Sequence, residues 1–159
     1  MCLAQPCAAV GETTADGVAK QVHCPYHSDV GLLTVIPRGR GAPGLHVYDV
    51  DAGTEGRDAA WVDIEADMPE DCAVVLGGES LFRLSNHWLL PGIHEVAHIA
   101  GERLSCPFQL LAREDAQLSC SGLDPAVVGP PQPGCDSPVT ARRFVEELSA
   151  SRVSSNFPV

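Results

Sequence analysis

The chain has 159 residues, 45% of them hydrophobic and 19% charged, a globular composition with room for one domain and its own core. Its 21 acidic against 10 basic residues give a formal net charge of -11, a field that repels phosphate backbones and anionic membrane surfaces and argues against nucleic acid or membrane as main partners. Seven cysteines without a CxxC spacing fit neither a disulfide framework nor a zinc ribbon and read as reduced thiols of a cytoplasmic protein, and no apolar stretch approaches the roughly 18 residues of a membrane span.

Residues 1–18 show no clear period and read as an irregular lead-in. From there to residue 113, short runs rich in β-branched and aliphatic residues follow one another between Gly, Pro and Asp: "VAKQVH", "VGLLTVIP", "GLHVYDV", "AWVDI", "CAVVLGG", "HEVAHIA" and "RLSCPFQLLA". Such spacing predicts a mainly β sandwich or barrel. "RGRGAPG" at 38–44 and "DAGTEGRDAA" at 51–60 read as loops, and "ESLFRLSN" at 79–86 has Leu81 and Leu84 at helical spacing. Residues 114–159 form a Pro-rich connector followed by a C-terminal helix in "SPVTARRFVEELSASR", with Phe144 and Leu148 on one face.

Chemistry enters at "HSD". Read as strand, His27 and Asp29 lie two residues apart and converge from one face, and an imidazole and carboxylate completed by a distant histidine form the facial triad of non-haem Fe(II). His94 and His98 are the distal candidates. Four residues of strand separate them by about 13 Å, so they do not readily bind one ion together. Arg103 and Ser105 also share a face, where a guanidinium and a hydroxyl can grip a carboxylate. If "IAGE" turns a hairpin, His98 stands opposite Arg103 and His94 about 13 Å further along, the gap a diacid bridging metal and arginine needs. That makes His94 the better ligand and His98 a structural histidine.

The ordered set "HSD", "GLLTVI", "GLHVYDVDAG", "WVDI", "CAVVLGGESLFRLSN", "PGIHEVAH" and "RLSCPF" resembles the C-terminal catalytic region of the isopenicillin N synthase-like 2-oxoglutarate/Fe(II) dioxygenases, over roughly residues 19–113. The resemblance implies a double-stranded β-helix, the jelly-roll barrel, with the C-terminal helix outside it. It implies Fe(II) on His27, Asp29 and His94, and Arg103 with Ser105 on the distal carboxylate of the cosubstrate 2-oxoglutarate. The reaction implied hydroxylates or desaturates a small-molecule substrate with dioxygen while 2-oxoglutarate is decarboxylated to succinate.

Only 26 residues precede His27, so the N-terminal half that closes the family's substrate pocket is expected to be absent. Tyr26 sits beside the ligand but faces away and is not matched to the family's cosubstrate-holding tyrosine. Two alternatives follow. One is an Fe(II) oxidase of the same fold that draws electrons from substrate or ascorbate; the other is a non-catalytic barrel acting as a binding module, whose exposed edges invite self-association. His23, His46 and His87 read as edge or loop residues, Cys72 and Cys106 as small core residues, Trp61 as packing, and Trp88 as bordering a pocket.

Overall fold

A computed structural model describes residues 12–13, 19–20, 22–50, 61–97 and 101–154. The lead-in (apart from Glu12–Thr13), residues 51–60 and His98 lie outside the described residues. In chain order the elements are β1 (Glu12–Thr13), β2 (Ala19–Lys20), β3 (Val22–His27), β4 (Leu33–Pro37), β5 (Arg40–Gly41), β6 (Leu45–Tyr48), β7 (Trp61–Asp63), β8 (Ala73–Gly77) and α1 (Glu79–Leu84). They continue as β9 (His94–Ala97), β10 (Arg103–Leu104), β11 (Phe108–Leu110), β12 (Gln117–Leu118), α2 (Pro125–Val128), β13 (Val139–Thr140) and α3 (Ala141–Ser154).

Two antiparallel sheets carry the fold. One has the order β3-β9-β6-β7, the other β11-β4-β8. In β4 the burial alternates, with Thr34 and Ile36 inward, as a half-buried strand requires. Ile36 and Leu76 on the three-stranded sheet meet Leu45 on the four-stranded one, with Val47, Ile64 and Val74 packed around them. This layer of apolar side chains between the sheets is the core. Gly92 lies against it: a Cβ there would stand 2.9 Å from the Leu76 side chain. The opposite face of the β11-β4-β8 sheet is also apolar but open, with Val35 paired to both Val75 and Phe108 across the strands and the latter two exposed.

Long-range pairing corrects the sequence reading in three places. "RGRGAPG" is not wholly loop, because Arg40 and Gly41 pair with Leu104 and Arg103. "RLSCPFQLLA" is not one strand: β10 joins β5, while Phe108 pairs with Val35 on β4. The expected hairpin of Arg103 against the His98 strand is therefore not formed among the described residues. A switch of partner between residues 104 and 108 takes the chain from one sheet to another, which local periodicity cannot register. Cys72 and Cys106, expected in the core, are both exposed. Cys72 lies just before β8 and Cys106 in the segment where the chain changes sheets, so neither takes a core-facing strand position.

Glu65 fastens this crossing. Its carboxylate accepts the amides of Gly44 and Leu45 at the start of β6, both at 3.0 Å, and both its oxygens meet Arg103 of β10. The Pro-rich connector is likewise tied down. Arg83 of α1 donates to the carbonyls of Leu118, Gly134 and Ser137 and lies over the Phe144 ring, 5.6 Å from its centroid. Asn86, held at φ 57°, donates to Val128 and Pro130 carbonyls and accepts from the Gln132 amide. A left-handed asparagine satisfying this many backbone groups anchors the segment as a hydrogen-bonded hub.

The two faces of β8 give a direct test: Leu76, 7% exposed, and Val75, 58% exposed, are neighbours in sequence. Leu76→Ala is expected to destabilise by about 2–5 kcal/mol in urea unfolding, whereas Val75→Ala changes stability by about 0.5 kcal/mol or less. Equal effects would place the core elsewhere. A second test concerns acid. Burial pushes the Glu65 carboxyl up, but the Leu45 amide and Arg103 outweigh it and hold the group below its ordinary 4.5. Its stabilising contribution is complete above 4.5 and is lost as pH falls through the lower folded value. Glu65→Gln is therefore expected to flatten the pH dependence of stability below about pH 4.5; an unchanged acid limb counts against the buried pair.

Candidate metal centre

The β3 and β9 strands run antiparallel with His27 directly opposite His94. Their register slips twice, between Val22 and Cys24 and again between Cys24 and His27, around Pro25, which has no amide to give the ladder. The slip sets the two imidazoles side by side, ring centroids 4.4 Å apart. Asp29 does not reach them as a strand residue. It stands on the connection between β3 and β4, so the two-residue spacing converges through a turn rather than through strand alternation.

That turn is held from the other side of the site. The α1 N-terminus turns its amides onto it: Gly78 to the Leu32 carbonyl at 3.0 Å, Glu79 to Asp29 at 2.8 Å and Ser80 to Gly31 at 3.1 Å. These first helical N–H groups have no partner within the helix, and the turn carbonyls supply one. The approach is so close that a Cβ at Gly78 would meet the Gly31 oxygen at 2.2 Å. The Ser28 hydroxyl bonds Glu79, and the Ser80 hydroxyl bonds the Val30 carbonyl at 2.7 Å. The double glycine of "LGGES" thus serves the aspartate's backbone.

His27, Asp29 and His94 each bring one ligand atom within 4.8 Å of the others, and no other group of three or more such side chains does so among the described residues. His27 Nε2 lies 3.5 Å from Asp29 Oδ1, and His94 Nε2 lies 3.9 Å from Asp29 Oδ2. On the far side of each ring, Nδ1 of His27 donates to the Pro25 carbonyl at 2.9 Å and Nδ1 of His94 to the Gly92 carbonyl at 3.0 Å. A carbonyl only accepts, so Nδ1 carries a proton in both rings and each Nε2 faces Asp29, that of His27 as a donor to the carboxylate. Thr34 donates its hydroxyl to Asp29 Oδ2 and fixes the carboxylate plane.

Electrostatics favours positive charge here. Asp29 first, then Cys24 and the Pro25 carbonyl, outweigh burial and push His27 up to about 10. Burial also pushes Asp29 up, but its bonds from His27 and Thr34 bring it below its ordinary value, while burial pushes His94 down. Two nitrogens and one carboxylate oxygen fit a borderline divalent ion such as Fe(II). Right-angled bonds of about 2.1 Å put donor atoms about 3 Å apart, under 1 Å from the two His–Asp separations. Asp29 and His94 are buried and His27 is 37% exposed, so His27 is the donor nearest solvent.

The other candidates fall elsewhere. Arg103 is paired with Glu65, and Ser105 is half-buried in the segment after β10. His46, read as an edge residue, stands in β6 with Glu95 at 3.5 Å and Asp63 at 4.0 Å. His87 stacks on Phe82 with its Nε2 3.1 Å from Cys135 Sγ. Tyr26 and Tyr48 pack against Trp61, and Trp88 is exposed. Sequence reasoning missed Thr34, Gly78 and Glu65. Only Gly78 carries a local signal, a glycine pair at a helix start.

No family model matches the chain, and no curated protein does. Solved structures do. A full-length Neurospora crassa protein in complex with alpha-KG superposes with a TM-score of 0.58 at 18% identity, over 82% of this chain and 38% of that one. A Caulobacter crescentus protein assigned to the 2OG-Fe(II) oxygenase family gives 0.60 at 24%, over 81% and 40%. Rice dioxygenase for auxin oxidation gives 0.59 at 25%, over 84% and 41%. The chain spans about two fifths of the length of these structures, and the fold is what the likeness establishes: a mainly β arrangement with a C-terminal helix, shared with 2OG-Fe(II) oxygenases.

Thr34 offers a test of the donor set that leaves all three donors in place. Thr34→Val is expected to weaken Co(II) binding about 10-fold, the usual effect of losing an outer hydrogen bond, and Thr34→Ser to restore it. Unchanged affinity in the valine variant would show that the hydroxyl does not orient Asp29.

Proposed function

We propose that the chain is a 2-oxoglutarate- and Fe(II)-dependent oxygenase of the isopenicillin N synthase-like kind, built on a jelly-roll barrel and acting on a small organic molecule. The observation that carries this reading is the convergence of His27, Asp29 and His94 within 4.8 Å; the shared fold of alpha-KG-bound and other 2OG-Fe(II) oxygenase structures supports it. His27, Asp29 and His94 would hold the iron, and Arg103, once released by Glu65, would receive the far carboxylate of the cosubstrate together with Ser105. Fe(II) bound there supplies oxidation of a substrate C–H bond by dioxygen, coupled to decarboxylation of 2-oxoglutarate to succinate.

The protein's own part is positional. The Pro25 and Gly92 carbonyls each hold an Nδ1 proton and so turn both Nε2 atoms inward as the ligand atoms, and Thr34 and the α1 amides fix the carboxylate and its turn. Burial of Asp29 and His94 limits water on their side, leaving His27 as the donor nearest solvent. One observation favours a second reading, an Fe(II) oxidase that does not use 2-oxoglutarate: the Arg103 fork is already filled by Glu65.

Anaerobic titration with Fe(II) and then 2-oxoglutarate tests both readings. The expected result is a visible charge-transfer band that is lost in His27→Ala, with iron affinity at least about 100-fold weaker in that variant, and succinate formed in air only when 2-oxoglutarate is added. Iron binding without the band, together with oxygen uptake indifferent to 2-oxoglutarate, would sink the first reading in favour of the second. Failure to bind iron would overturn both.

A further inference from the structure

The structure does not offer the Arg103 guanidinium as an open clamp. Its Nη2 lies 2.9 Å from Glu65 Oε1 and 3.1 Å from Oε2, and its Nε lies 3.3 Å from Oε2. Both side chains are withdrawn from solvent, Arg103 at 12% and Glu65 at 2% exposure. A two-point contact of this kind occupies the same fork that a ligand carboxylate would use. Glu65 is also the wrong length of chain away to be a casual neighbour, 38 residues from Arg103, and it is seated by the Gly44 and Leu45 amides at 3.0 Å each. Leu45 stands two residues from Val47, which pairs with His94. The Leu45 amide that seats Glu65 therefore lies about 7 Å along the strand from the position opposite His94.

We propose that Glu65 is a built-in carboxylate that fills the Arg103 fork, so that a 2-oxo acid gains affinity from a distal carboxylate only when Glu65 leaves the arginine. The inference rests on reading His27, Asp29 and His94 as a metal site that takes a 2-oxo acid. Exchange of one carboxylate for another conserves charge at Arg103. The incoming carboxylate nonetheless competes with an intramolecular partner of high effective concentration, and Glu65, once displaced, forfeits its two amide bonds or carries them away from the arginine. While Glu65 stays on Arg103, a 2-oxo acid is held by its keto acid end alone and its second carboxylate adds no affinity.

The test compares two acids that share the keto acid end and differ in the distal carboxylate, 2-oxoglutarate and 2-oxobutyrate, binding to the Co(II)-loaded full chain by calorimetry. Cobalt uptake is read separately from its absorbance. Wild type is expected to bind the two within about 3-fold of each other, and Glu65→Gln to prefer 2-oxoglutarate by at least about 10-fold. Glutamine keeps an oxygen for the Gly44 and Leu45 amides while removing the charge on Arg103. If the variant does not fold, the wild-type ratio decides alone. A wild type that already prefers 2-oxoglutarate 10-fold, a folded variant with no preference, or cobalt uptake with neither acid bound by either protein overturns the role given to Glu65. Absence of cobalt uptake instead overturns the metal reading on which it rests.

Discussion

The pairing of β3 with β9 is the constraint on which the site depends. It is a long-range contact, between residues 22–27 and 94–97, and it sets His27 opposite His94. Both strands belong to a sheet whose inner face is already committed to the core through Leu45 and Val47, and a register slip of one residue would turn the histidines outward. The burial that stabilises the sandwich therefore also specifies where the imidazoles point. Their second nitrogens are then consumed by local carbonyls, Pro25 and Gly92, each two residues away in sequence. Register decides the position of each ring, and its neighbours decide its tautomer.

Asp29 follows a different logic. No strand fixes it, and a carboxylate at 7% exposure is costly to bury without partners. Its partners come from three places: the Thr34 hydroxyl on β4, His27 on β3, and the α1 amides through the backbone of residues 29–32. Gly78 allows that last approach because any Cβ there would collide with Gly31. The same helix reaches forward through Arg83 and Asn86 to hold residues 118–137. A six-residue helix thus stands between the turn that carries Asp29, bonded to it by its first amides, and the C-terminal segment, bonded through the Arg83 side chain.

Much of this was legible in the residues. The apolar runs at 33–37, 45–48 and 73–77 are strands because aliphatic and β-branched side chains suit a pleated, half-buried surface, and "ESLFRLSN" contains the α1 helix at 79–84. The three donors could be named from their types and order. What could not be read was which strand partners which. Arg103 against Gly41 and Phe108 against Val35 are pairings over more than sixty residues, and nothing in "RLSCPF" marks the change of sheet between them. Cys72 and Cys106 were misplaced for the same reason, since apolar neighbours do not say where a strand starts or which side it shows. Glu65 lay in "WVDIE" without a motif, and its role exists only because the fold carries Arg103 to it.

Charge gives these separate facts a common reading. A divalent ion beside Asp29 would leave the donor cluster with one net positive charge, and the Glu65–Arg103 pair contributes none. With Arg103 free, the two regions together would carry two positive charges and suit a dicarboxylate; with Glu65 in place they would suit a monocarboxylate. The surrounding chain, at -11, adds to the cost of bringing in a dianion and offers no steering toward it. Because interactions strengthen where water is excluded, one buried unit of charge outweighs several on the surface in setting which anion is held. The pairing of a single glutamate would therefore change the electrostatic character of such a site more than the acidity of the whole chain does.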